Sequence, residues 1–156
     1  YIRLFRKAAP VIFAENYSFD LFKADLLKEG AEVTLFASGI MVPQALKAAE
    51  MLGEQNISAE VINVHTIKPI DEATVIASVR KTGAAVTCEN HNMIGGLKSA
   101  VCEVLAEEYP VPVMSVGIAD HFGEVAKTDY LQKKYKMTAA DIVTAAVRAI
   151  NKKAKN

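Results

Sequence analysis

The chain has 156 residues, 51% hydrophobic and 23% charged, a composition for one globular domain with a sizeable core, which excludes a disordered or coiled-coil chain. Its 18 Lys and Arg balance 18 Asp and Glu, so no broad field steers it onto nucleic acid or an anionic membrane. Cys88 and Cys102 are too few for a disulfide framework or zinc knuckle, and no stretch reaches the apolar length of a membrane span, so a cytoplasmic domain with buried thiols is expected.

The segment Tyr1–Arg6 mixes apolar and charged residues as a strand already under way does, and the first residue is not Met. The expectation is a fragment whose strand partners lie upstream. Residues 7 to 31 read as irregular, with short extended runs at Ala8–Phe13 and Asp20–Phe22 before a turn at Lys28-Glu29-Gly30. Regular structure is predicted from there. Glu32–Ala37 is a strand ended by Ser38-Gly39, and Val42–Leu52 a helix with Leu46, Ala49 and Leu52 on its inner stripe, stopped at Gly53. Ile57–Val64 alternates apolar and polar residues, the signature of a half-buried strand. Thr66–Ile70 turns at Pro69, and Asp71 N-caps a helix over Glu72–Lys81.

Ala84–Cys88 is a nearly all-apolar strand. Gly95-Gly96 leads into a helix with Leu97, Val101, Val104 and Leu105 inward, and Pro110–Val116 holds a strand bounded by Gly117. Thr138-x-x-Asp141 forms a capping box for a last helix with Ile142, Val143, Ala146, Val147 and Ile150 on one side. Lys152, Lys153 and Lys155 suit its negative end and otherwise form a solvated terminus. The alternation predicts an α/β fold, a three-layer α/β/α sandwich with a mainly parallel sheet of about five strands.

Ligands of such sheets gather beyond the carboxyl ends of the strands. All three histidines, His65, His91 and His121, fall after predicted strands, on that one edge. Their wide spacing offers no zinc ligand pair on a helix or knuckle, and Ser38-Gly39 lacks the flanking residues of a nucleophile elbow. Gly95-Gly96 could expose helix N–H groups to a phosphate, but the remainder of a phosphate-loop motif is missing, and close helix-to-sheet approach explains the glycines as well. Glu89-x-His91 reads as a structural hydrogen bond that holds a loop or a subunit contact. His65, Glu89, His91, Gly95 and Gly96 are therefore set down as an interface or regulatory-ligand loop. The chemistry points to a domain that binds and assembles.

The run Thr66-Ile67-Lys68-Pro69-Ile70-Asp71, followed by Glu89-Asn90-His91-Asn92-Met93-Ile94-Gly95-Gly96, strongly resembles the carboxyl-terminal domain of transketolase. Ser38-Gly39 and Gln44–Ala49 fall in that family's order, and the resemblance runs over about residues 1–150. It looks most like the end of the second polypeptide of bacterial transketolases split in two. Related domains close 1-deoxyxylulose-5-phosphate synthases and 2-oxo acid dehydrogenase beta subunits, but the Thr-Ile-Lys-Pro-x-Asp form favours transketolase.

The resemblance implies that residues 1–30 are the end of a pyrimidine-binding domain and a linker, and residues 31–156 the carboxyl-terminal domain. It implies a dimeric thiamine diphosphate enzyme of pentose phosphate metabolism that moves a two-carbon ketol unit between sugar phosphates. The coenzyme supplies the hard chemistry. The family's Gly-Asp-Gly motif, activating glutamate and coenzyme-flanking histidines have no match here, so this chain alone is implied to bind neither thiamine diphosphate nor magnesium and to be inert. Assembly with upstream pyrimidine- and diphosphate-binding domains, as a homodimer or a split-subunit complex, is implied too. Arg6 falls where the family has an arginine on the sugar phosphate, and its planar guanidinium suits that anion, with Arg3 the lesser candidate. Two alternatives stand beside this reading: a regulatory module binding a small anion through Gly95-Gly96 and His91, and the equivalent domain of a 1-deoxyxylulose-5-phosphate synthase or 2-oxo acid dehydrogenase.

Overall fold

The structure is a computed structural model that describes residues 1–6 and 8–154. Lys155, placed by the sequence in the basic tail, lies outside the described residues. Among them, one sheet runs β1 (Asp25–Lys28), β3 (Ala59–Asn63), β2 (Val33–Ala37), β4 (Ala85–Asn92), β5 (Val113–Ile118), in that spatial order. All neighbours are parallel except β1, which runs antiparallel along β3. Helices α1 (Val42–Gly53) and α5 (Ala139–Lys153) cover one face, and α2 (Glu72–Thr82) and α3 (Leu97–Glu108) the other. This is the predicted three-layer α/β/α sandwich.

The two cores follow the strand alternation. Leu35, Val61, Val86 and Cys88 pack with Ala45, Ala49, Leu52, Ile142 and Ala146 on one side of the sheet. Phe36, Ile62, Ala85, Val75, Val79, Leu97 and Val101 form the other. Successive side chains of a strand point to opposite faces, so a central strand covered on both sides is apolar or satisfied at every position. The α3 stripe is buried as predicted, but α1 buries Val42, Ala45, Ala48, Ala49 and Leu52 and leaves Leu46 half-buried. Small alanines let that helix approach the sheet, and the same holds for Ala139, Ala145, Ala146 and Ala149 of α5, beside half-buried Val143, Val147 and Ile150.

Capping chemistry matches the sequence closely. Asp71 accepts the Thr74 amide at the start of α2, and Thr138 and Asp141 form a reciprocal box at the start of α5. The tail is less solvated than expected, because Lys153 Nζ donates to the Thr82 carbonyl at the end of α2, 2.7 Å away.

Three expectations are corrected, and one element was not foreseen. Residues 1–6 form no strand; Tyr1, Ile2 and Leu4 are exposed and pair with no described strand. Asp20–Phe22 is a turn, and the fifth strand is Asp25–Lys28, whose four residues are too short to show a period. The strand predicted to end at Cys88 continues to Asn92, with a register irregularity between Cys88 and Asn92. Helix α4 (Thr128–Lys134), without a buried residue, carried no apolar stripe to reveal it.

Strand β3 shows why alternation misled. Its polar residues are buried too: Glu60 under α2, where it ion-pairs with Lys81 and accepts a hydrogen bond from Ser78, and Asn63 against Asp25. Ser78 also pairs with Thr34 at 2.6 Å, and Thr34 with Thr82 at 2.7 Å, so this buried polar group is internally satisfied.

Candidate functional site

Because β2 to β5 are parallel, their carboxyl ends share one edge, and the chain reverses its direction across the sheet between β2 and β4. Glu89 sits at that reversal. Its side chain is buried and turned to the amino end of α3, where Oε2 accepts the Leu97 amide at 2.7 Å and Oε1 the Lys98 amide at 3.0 Å. An internal carboxylate thus occupies the position where a helix terminus would receive an external anion. Gly96 makes this possible. A Cβ there would lie 2.0 Å from Glu89 Oε2 and 2.6 Å from the Asn92 carbonyl. Gly95 has φ +75 and donates its amide to Ser99 Oγ at 2.8 Å, closing the turn that aims the helix.

Burial pushes the Glu89 carboxyl above the ordinary carboxylate range, although the Lys98 and Leu97 amides pull the other way. A raised carboxyl pKa means that its contribution to stability is fully present below the ordinary value and is lost as pH rises through the raised one. The stability of the native protein relative to Glu89→Gln is therefore expected to be greatest at acidic pH and to shrink as pH rises from about 4.5 toward neutrality. Melting temperatures of both proteins across that range check this, and a gap that widens with pH contradicts it.

The remaining predicted residues do not converge. His91 is exposed, its Nδ1 donating to the Asn92 carbonyl at 3.1 Å, so Glu89 holds α3 and not His91. His65 is half-buried beside β1, with Nδ1 2.9 Å from Thr66 Oγ1 and Nε2 3.8 Å from Asp25 Oδ2. His121 lies near the Tyr135 ring, 6.4 Å between centroids. Arg6 is exposed, whereas Arg3 donates to the Asn90 carbonyl at 2.9 Å, directly on the strand-end edge. Asn92 Nδ2 is engaged by Asp120 at 3.0 Å. Sequence reasoning missed Tyr17 and Asp25, which pair near His65; their only signal was a polar residue at each end of an irregular stretch.

No three His, Cys, Asp or Glu side chains gather among the described residues as metal ligands, and the Leu97 and Lys98 amides that could hold a diphosphate are on Glu89. A groove of about 470 Å³ between the 67–70 turn and α3 sets Glu72, Glu103, Glu107 and Glu108 against the single cation Lys68, a net negative lining that disfavours an anion. No described helix is long and apolar enough to cross a membrane.

Comparison with known proteins converges on one family. The profile described as "Transketolase, C-terminal domain" matches residues 22–142. The chain is 55% identical, over 98% of its length and 48% of the relative's, to the 6-deoxy-6-sulfo-D-fructose transketolase subunit SqwH of Clostridium sp. (strain MSTE9). It is 37% identical, over 97% of its length and 48% of the relative's, to a putative transketolase C-terminal section of Methanocaldococcus jannaschii. Among solved structures, one described as a split gene transketolase, inactive beta4 tetramer, superposes with a TM-score of 0.88 at 46% identity, covering 94% of this chain and 47% of that one. The chain spans about half the length of these relatives.

Proposed function

The chain belongs to the transketolase C-terminal domain family, and from that premise we propose that it is the accessory domain of a thiamine-diphosphate-dependent transketolase that moves a two-carbon ketol unit between anionic sugars. The domain serves assembly with the pyrimidine- and diphosphate-binding parts of the enzyme and adds one contact to the substrate's anionic group, while coenzyme and magnesium are held elsewhere. The observation that carries this reading is the state of the strand-end edge. Its Glu89 carboxylate closes on α3, Asn92 on Asp120 and the Asn90 carbonyl on Arg3, so these polar groups of the edge are engaged within the domain.

Arg6 is the proposed contact. It is exposed and follows Arg3, which is fixed to the edge, so its guanidinium is available to a tetrahedral oxyanion. Phosphate is the expected group; the name of the SqwH relative speaks of a sulfonated sugar, and a sulfonate presents the same donor-hungry oxygens. Arg6→Ala in the assembled enzyme is expected to raise KM for phosphorylated or sulfonated ketoses by roughly 10- to 100-fold, the worth of a charge-assisted hydrogen bond, with little change for unmodified ketoses. Equal effects on both would remove Arg6 from the anion site.

A further inference from the structure

Residues 8–24 form neither helix nor strand, yet they run across the strand-end edge of the sheet. Arg3 starts this path at the end of β4, on the Asn90 carbonyl. Ile12 packs against the α1/α5 core, and Ala24 against the α2/α3 core, so the segment passes from one face of the sandwich to the other. Fixing each such residue costs about 1–2 kcal/mol of backbone entropy, so specific contacts must hold the strap in place.

Two carboxylates supply the main contacts, and a third tightens the bend between them. Asp25 accepts the Tyr17 hydroxyl on both oxygens, at 2.8 and 3.0 Å, and the Asn63 amide at 2.9 Å. Asn63 is its register partner on β3, so this bond also fastens the start of the edge strand. The Tyr17 ring stacks on Phe13, centroids 3.9 Å apart, and the Phe19 ring lies 4.7 Å from that of His65, whose Nε2 faces Asp25. Asp71, already the cap of α2, accepts the Ala24 amide at 3.1 Å and stands 3.7 Å from Lys23 Nζ. Asp20 tightens the bend between them by accepting the Phe22 amide at 2.9 Å. Hydrogen bonds to an ionised carboxylate are roughly twice as strong as neutral ones, and those of Asp71 and Asp25 are largely shielded from water.

We propose that Tyr17, Asp25 and His65, with Asp71 behind them, form a clasp that locks residues 8–24 as a strap across the strand ends, making them positioning residues for the amino-terminal segment that carries Arg3 and Arg6. The state of Tyr17 agrees with a tight clasp: burial, then the hydrogen bond and charge of Asp25, push its phenol up to about 12. The consequence for Arg6 rests on the function proposed above; the clasp itself does not.

The test is amide hydrogen exchange on the full-length protein that contains this chain, comparing native protein, Asp25→Asn and the milder Tyr17→Phe, which keeps the ring on Phe13. Both substitutions are expected to speed exchange at residues 14–24 by more than about tenfold while β2 and β4 amides keep their rates. Unchanged exchange in the strap, or acceleration spread evenly over the sheet, overturns the clasp. A second readout separates the two claims: Tyr17→Phe is expected to raise KM for the anionic ketose in the assembled enzyme without lowering kcat to the same degree, and to have no further effect once Arg6 is alanine. If the strap loosens but KM does not move, the clasp stands and the Arg6 role falls.

Discussion

Gly96→Ala is expected to lower the stability of the protein by about 3–4 kcal/mol, seen as a fall of roughly 10 °C in melting temperature. The reason is geometric. The added Cβ falls 2.0 Å from Glu89 Oε2 and 2.6 Å from the Asn92 carbonyl, separations no carbon tolerates. Either the Glu89 carboxylate leaves the amino end of α3, abandoning the Leu97 and Lys98 amides in a buried site, or the 92–96 turn moves and drags the helix from its core. Because the clash and the cap share one carboxylate, the two sites must couple. Glu89→Ala alone is expected to cost about 2–4 kcal/mol for the orphaned amides and the cavity, yet the Gly96→Ala, Glu89→Ala double variant should be more stable than the sum of the single losses by over about 1 kcal/mol. Urea denaturation of the four proteins measures this, and strict additivity contradicts the shared-carboxylate account.

Gly30→Ala is the second large effect, of at least about 3 kcal/mol and with poor soluble yield as its first sign. Gly30 is buried just before β2, where a Cβ would lie 2.1 Å from both the Ala59 carbonyl carbon and the Glu60 amide nitrogen. Those atoms are the backbone of β3, paired along its length with β2, so no side-chain rotation relieves the contact. Relief requires β3 to shift, which would disturb the register of the sheet's central strands and the buried Glu60 beside them. Gly53→Ala, at a helix end with nothing within 4 Å of its Cβ, is the matched control and should cost little. Equal melting temperatures for Gly30→Ala and Gly53→Ala would show that the close approach at Gly30 carries no weight.

Much of the architecture was legible because it rests on local chemistry. The Asp71 cap, the Thr138–Asp141 box and the Leu97-Val101-Val104-Leu105 stripe each depend on residues within one or two turns of helix, and each lies where periodicity placed it. What stayed hidden depends on partners distant in sequence. Glu60 looked solvent-facing until Ser78 and Lys81 covered it, and Lys153 looked like a tail until the end of α2 came within reach of its ammonium. Glu89 and Gly96 were both singled out, yet not as partners, because a carboxylate eight residues from an amide shows its role only once β4 and α3 are packed. The strap was least legible of all: aromatic and acidic residues in an irregular stretch carry no period, and their meaning comes from β1, β3 and α2.

The most direct test of the whole reading is a ketol-transfer assay on this chain by itself, supplied with thiamine diphosphate, magnesium, a ketose phosphate and an aldose phosphate. The account predicts no transfer above the enzyme-free blank until the coenzyme-binding portions of the enzyme are added, whereupon activity emerges in proportion to assembled complex. Turnover by the chain alone would contradict it.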